Sequence, residues 1–143
     1  VVRSNVLLHR TLGSQVVLVA PPTLLPTGVE TWGCEVTSDF DAVVDQCDIV
    51  MMLRVQRERM AGGFFPTPRE YADGYGLTLE RLGRLKEGAA ICHPGPMNRG
   101  VEISSEAADA VNSLVLEQVS AVVAVRMSVL YHLLGGSDEE GKA

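Results

Sequence analysis

Two strings hold the residues best suited to chemistry. In Leu53-Arg54-Val55-Gln56-Arg57-Glu58-Arg59, the Arg54 guanidinium can grip a carboxylate or phosphate through two parallel hydrogen bonds. Gln56, two residues on, adds a donor and an acceptor, and Arg57 and Arg59 extend the positive character. A solvated basic patch paired to Glu58 explains the same residues, and position at a strand end alone leaves the two readings level. The second string is His93-Pro94-Gly95-Pro96-Met97-Asn98-Arg99-Gly100. Neither proline nitrogen carries a hydrogen, so the segment presents carbonyl oxygens in a fixed array, with Gly95 free to let a ligand approach. Carbonyl acceptors suit an NH₂ group, and a cis X–Pro bond fits such a segment. An ordinary tight turn is the plainer reading of Pro-Gly-Pro. His93 is either a general acid or a hydrogen-bonded structural histidine. His9 and His132 fall in helical patterns and receive no role.

Other chemistries lack support. Gly95 and Gly100 are not followed by the Lys-Ser/Thr of a phosphate-binding loop, and no Gly-x-Gly-x-x-Gly follows a strand. No nucleophile elbow is present. Cys34, Cys47 and Cys92 are odd in number and widely spaced, with no metal-ligand spacing, so no metal or other cofactor is expected.

Each string directly follows a short apolar run, Ile49-Val50-Met51-Met52 and Ala89-Ala90-Ile91-Cys92. Such runs read as buried parallel strands. In an open α/β sheet, ligands bind beyond the carboxyl ends of the strands, where both strings then lie. Further strands are expected over residues 15–20 and, more weakly, 32–37. Helices are expected over 4–12, 40–46 (capped by Ser38-Asp39), 68–75 and 79–85 (capped by Thr67 and Thr78), and 114–134. Gly62, Gly63, Pro66 and Pro68 frame Phe64 and Phe65, as in a mobile loop with an apolar anchor. Residues 137–143 read as a disordered tail.

The alternation predicts an α/β domain over residues 1–136, with a doubly wound, mostly parallel sheet flanked by helices. The chain opens on a helix with no strand before it, so the sheet is expected to lack its first strand. Residues 119–134 are apolar on more than one face, which predicts a mostly buried helix covered on several sides, with half of that cover expected to lie outside this sequence. Ser120, Arg126, Ser128 and His132 interrupt it, leaving it short of a membrane span.

The bulk numbers agree with one soluble domain. The chain has 143 residues, 46% hydrophobic and 21% charged. A net charge of −6 argues against nucleic-acid and anionic-membrane surfaces, which need a basic face. Reduced thiols and no charged-then-apolar leader lead to the expectation of a cytoplasmic protein.

Taken together, Arg54-Val55-Gln56-x-Glu58-Arg59 after an apolar strand and then, about forty residues on, His93-Pro94-Gly95-Pro96-Met97-Asn98-Arg99-Gly100-Val101-Glu102-Ile103 resemble the aspartate carbamoyltransferase family. Arg3-Ser4-Asn5-Val6, Val19-Ala20-Pro21-Pro22-Thr23-Leu24-Leu25-Pro26 and Val123-Ala124-Val125-Arg126-Met127 fit its bacterial catalytic chain. The likeness covers nearly the whole sequence, but only the carboxyl-terminal, aspartate-binding half of that enzyme.

The resemblance implies transfer of a carbamoyl group from carbamoyl phosphate to the amino group of L-aspartate, in pyrimidine synthesis. It implies that Arg54 and Gln56 bind aspartate. Backbone carbonyls around Pro94 and Gly95, next to Pro96, would hold the carbamoyl NH₂. Arg59 and His93 would support the site, and residues 61–77 would close over aspartate. The family's full-length enzyme is a homotrimer that can take a regulatory chain or a dihydroorotase as partner. The family's carbamoyl phosphate half is absent here, as is a second aspartate-binding arginine that belongs just before Val1. Arg3 does not stand in its place. This chain alone is therefore expected to be inactive. The ornithine-specific relatives carry His-Cys-Leu-Pro at the second string, which favours aspartate. A non-catalytic dicarboxylate-binding domain and a structural fragment are the competing readings.

Overall fold

The computed structural model describes residues 1–56 and 67–135. Arg57, Glu58, Arg59, the Gly62-to-Pro66 loop residues and the 137–143 tail lie outside them. The elements run α1 (Val2–Thr11), β1 (Val17–Val19), β2 (Glu35–Thr37), β3 (Ile49–Met51), α2 (Pro68–Tyr75), α3 (Leu79–Arg84), β4 (Ala90–Cys92), α4 (Ser105–Ala108) and α5 (Val115–Leu133), with short 3₁₀ turns between them.

Helix starts follow side-chain chemistry. Thr67 accepts from the Glu70 N–H at 3.1 Å and Thr78 from the Arg81 N–H at 3.3 Å, so both expected caps form. Each satisfies a backbone donor that the first helical turn leaves without a partner. Ser104 caps the short α4, which the sequence reading did not foresee, from the Ala107 N–H at 3.1 Å.

One expected helix is corrected. Over 40–46 only the last three residues, Val44–Gln46, form a 3₁₀ turn. Asp39 does accept from the Ala42 N–H at 3.1 Å. The turn does not propagate, because Asp41 is drawn aside by Arg81 and Arg84 while Phe40 and Val44 drop into the core.

All strand pairings are parallel. β1 pairs with β2, and β3 pairs with β4 in the register Ile49↔Ala90, Val50↔Ile91, Met51↔Cys92. On its other edge, β4 meets residues 112–114: the Ile91 N–H donates to the Asn112 carbonyl at 3.0 Å and the Leu114 N–H to the Ile91 carbonyl at 2.8 Å. The core collects Phe40, Val44, Val50, Met52, Leu77, Ile91, Ile103, Ala107 and Ala108. Val50 and Ile91, in the middle of β3 and β4, are buried in it, as the apolar runs required.

The described strands form two separate two-stranded sheets. β1 and β3 each keep one edge unpaired among the described strands, and residues from the ends of both line one cleft. The doubly wound reading holds in its parallel strands and flanking helices, with α1 preceding β1.

The long final helix forms almost as read, but its expected burial is corrected. Val115 is buried, whereas every residue from 119 to 135 is exposed. Val123 and Val125, about 200° apart around the helix, are 63% and 61% exposed, so opposite faces are bare alike. Among the described elements, β4 makes the main contact with α5. No helix among the described residues is long and apolar enough to cross a membrane.

Candidate functional site

The parallel pairing of β3 and β4 brings the two strings together. The ladder runs on past the strands, with the Met52 N–H donating to the Cys92 carbonyl at 2.9 Å. Three residues beyond Met52, Asn98 Nδ2 donates to the Val55 carbonyl at 3.0 Å. The backbone between Arg54 and Gln56 is thus tied to the segment that follows residues 94–96.

Arg54 is half-buried in a cleft of about 260 Å³. Leu18 and Val19 of β1 line one wall, residues 24–26 another, and Leu53 and Val55 flank the arginine; Val2 and Tyr71 complete it. Apart from the Arg54 guanidinium and the Tyr71 hydroxyl, these side chains are apolar. A guanidinium among aliphatic walls attracts an anion more strongly than one in water, because the local dielectric is lower. Tyr71 stays protonated: burial, helped by the negative charge of Glu102 and by Tyr75, pushes its hydroxyl from 10 up to about 12. Gln56 is half-buried at the end of the same segment.

Residues 94–96 form a tight, backbone-defined turn. The Gly95–Pro96 bond is cis, and Gly95 has φ +63°. That left-handed conformation disfavours any residue with a Cβ. The Gly95 N–H donates to His93 Nδ1 at 2.9 Å, so that nitrogen carries no proton and the ring proton sits on Nε2. The His93 N–H donates to Gln118 Oε1 at 2.9 Å, and Gln118 Nε2 lies 3.6 Å from Met51 Sδ. The first turn of α5 therefore reaches both strands.

Glu102 carries no solvent exposure, and neither does His93. Its Oε1 accepts from the Asn98 N–H, and its Oε2 accepts from Asn98 Nδ2 at 3.2 Å. Oε1 also lies 3.3 Å from His93 Nε2, close enough for electrostatic attraction but poorly aligned for a full hydrogen bond. Burial raises the Glu102 carboxyl, yet the interactions with His93 and Asn98 outweigh it and hold it below 4.5. A buried carboxylate is tolerable only with such partners.

The structure thus joins Arg54, Gln56, Pro94, Gly95, Pro96 and His93 at one end of two neighbouring strands; Arg59 lies outside the described residues. His93 emerges as hydrogen-bonded and buried. Sequence reasoning gave no role to Glu102, Asn98 or Gln118. Glu102 stands between apolar Val101 and Ile103, an alternation that reads as an acid facing solvent, so the sequence carries no cue to its burial. Among the described residues, no group of three His, Cys, Asp or Glu lies close enough to hold a metal ion.

Residues 1–133 match the family described as aspartate/ornithine carbamoyltransferase, Asp/Orn binding domain. The aspartate carbamoyltransferase catalytic subunit of Acidothermus cellulolyticus is 61% identical over 138 residues, 96% of this chain and 43% of that protein. The chain spans less than half the length of the curated relatives it matches. In fold it is similar to the ornithine carbamoyltransferase from Pyrococcus furiosus, with a TM-score of 0.77 and 19% identity over 92% of this chain and 45% of that one. It is likewise similar to the Trypanosoma cruzi aspartate transcarbamoylase solved with carbamoyl phosphate, with a TM-score of 0.67 and 23% identity over 82% of this chain and 40% of that one.

Proposed function

This chain belongs to the aspartate/ornithine carbamoyltransferase family, as its Asp/Orn-binding domain, and we propose that it supplies the aspartate-binding half of an aspartate carbamoyltransferase. The reaction moves a carbamoyl group from carbamoyl phosphate to L-aspartate. The α-amino nitrogen attacks the carbamoyl carbon, the carbon–oxygen bond to phosphate breaks, and the departing phosphate takes the amine's proton. N-carbamoyl-L-aspartate and phosphate result.

In this reading Arg54 binds an aspartate carboxylate in two-pronged fashion, with Gln56 assisting and Arg59 steadying the adjoining loop. The carbonyls near Pro94 and Gly95, next to Pro96, accept from the carbamoyl NH₂. His93 supports that turn from beneath. Orientation of two substrates and electrostatic stabilisation then carry the catalysis, with no covalent intermediate. The observation that carries the reading is Arg54 in its apolar-walled cleft, held beside the 94–96 turn by the bond from Asn98 to Val55. The remaining machinery for carbamoyl phosphate falls to a half of the enzyme outside this sequence. The same reading takes the whole enzyme to be a cytoplasmic homotrimer.

The test is formation of carbamoyl aspartate by a full-length subunit carrying this sequence, together with calorimetric titration by the bisubstrate mimic N-phosphonacetyl-L-aspartate. Turnover with L-aspartate and tight binding of the mimic, both lost in Arg54→Ala, are expected. Turnover with L-ornithine in place of L-aspartate would overturn the substrate assignment. Binding of the mimic unaffected by Arg54→Ala would overturn the role of Arg54.

A further inference from the structure

We propose that Glu102 is a positioning residue that fixes the 94–96 carbonyls relative to Arg54. The inference rests on the carbamoyltransferase reading and extends it to a residue that touches neither substrate. A fully buried carboxylate is costly, and a core position between Val101 and Ile103 would suit an apolar side chain. Glu102 instead sits between the two halves of the site.

On one side, Oε1 faces His93 Nε2 at 3.3 Å. Its charge favours a ring with the proton on that nitrogen, which leaves Nδ1 bare to accept from the Gly95 N–H at 2.9 Å. The carboxylate therefore sets the tautomer, and the tautomer holds Gly95 in place. On the other side, both carboxylate oxygens engage Asn98, through its N–H and its Nδ2. Asn98 Nδ2 then reaches the Val55 carbonyl at 3.0 Å, next to Arg54. One side chain thus sets the spacing between the turn that would hold the carbamoyl group and the segment that would hold aspartate. Leu77, whose N–H donates to the Glu102 carbonyl at 2.9 Å, anchors its backbone from behind. Misplacing one reacting partner by an ångström costs about a hundredfold in rate, because near-attack geometry is lost.

The test uses a full-length subunit carrying this sequence. Glu102→Gln keeps the size of the side chain but removes its charge and sets an NH₂ donor against Asn98 Nδ2 or, with the amide turned over, against both the Asn98 N–H and the His93 ring proton. The expected result is a fall in kcat of about a hundredfold in a folded protein. The KM for L-aspartate should move by less than about threefold, because the Arg54 fork itself is untouched. The ¹⁵N resonances of His93 should lose the pattern of bare Nδ1 and protonated Nε2. An unchanged kcat with an unchanged ring pattern in folded Glu102→Gln overturns the proposal. If that variant does not fold, Asn98→Ala decides. It leaves Glu102 Oε1 facing His93 and the Asn98 N–H and removes the side-chain bonds to Glu102 Oε2 and the Val55 carbonyl, so kcat should fall while the ring pattern stays; an unaltered kcat overturns the proposal. A wild-type subunit that makes no carbamoyl aspartate defeats the functional reading instead. The His93 ring pattern in Glu102→Gln then still decides whether Glu102 sets the tautomer.

Discussion

Arg81 grips Asp41 with both prongs across 40 residues of sequence: Nε donates to Oδ1 at 2.9 Å and Nη2 to Oδ2 at 2.6 Å. The Arg81 side chain is only 7% exposed, while Asp41 is 50% exposed. Nη1 donates to the Gly76 carbonyl at 2.7 Å, and the guanidinium lies 5.2 Å from the centre of the Phe40 ring. One buried cation therefore joins α3, the turn after α2 and the edge of the core.

Breaking that pair should destabilise the fold. Asp41→Ala leaves Arg81 with fewer partners in a buried site. Losing one member of a fully buried pair costs about 3–5 kcal/mol, but Asp41 is half exposed and water screens part of the interaction. A loss of about 2 kcal/mol is expected, read by urea unfolding. No loss would mean that the Gly76 carbonyl and Phe40 suffice to hold the cation.

Arg54→Lys separates charge from geometry. Lysine keeps the positive charge but presents no planar fork. A fall of about a hundredfold in kcat/KM for L-aspartate is expected, equivalent to one strong charged hydrogen bond. Steady-state kinetics on the full-length subunit check it, and a near-wild-type value would show that charge alone binds the carboxylate.

Gly95→Ala tests the backbone of the turn. A Cβ there would meet Val119 Cγ2 at 3.9 Å, ordinary contact, so crowding is not the obstacle. The cost comes from φ +63°, roughly 1–2 kcal/mol for a residue with a side chain. The turn should relax away from this conformation and shift its carbonyls. The KM for carbamoyl phosphate should rise, with the KM for L-aspartate much less affected.

Acid should weaken the site before it unfolds the rest. The Glu102 carboxyl is held below 4.5 in the folded state, so it binds protons less readily there than in the unfolded chain. Its stabilising contribution is therefore full above that ordinary value and lost as pH falls through the lower folded one. Stability curves taken from neutral pH to about pH 3 should fall more steeply for the wild type than for Glu102→Gln over that window. Parallel curves would remove Glu102 as an acid-sensitive group.

The sequence made the positions of the two strings legible because apolar runs and punctuating prolines are local signals. Thr67 and Thr78 were readable as caps for the same reason: each acts on a backbone N–H three residues away. What escaped was non-local. The helix expected over 40–46 was undone by Arg81 and Arg84, forty residues downstream, competing for Asp41. Glu102 looked like any surface acid until Ile103 and Leu77 closed around it and Asn98 folded back. For α5 the apolar residues signalled cover, part of it expected from outside this sequence, but not that exposure would run from residue 119 to 135. Arg59 and the Gly62-to-Pro66 loop residues, readable as family features, fall outside the described residues.

Gln118 gives α5 a mechanical consequence. It is the point at which a mostly uncovered helix grips the site, through the His93 N–H and Met51. Helical geometry makes α5 a stiff shaft: a register change of one residue turns it by about 100° and swings Gln118 off His93. The torque for such a turn would be applied far from the cleft, along the exposed residues 119–135. Gln118 and the His93 N–H are where such a load would meet the 94–96 turn.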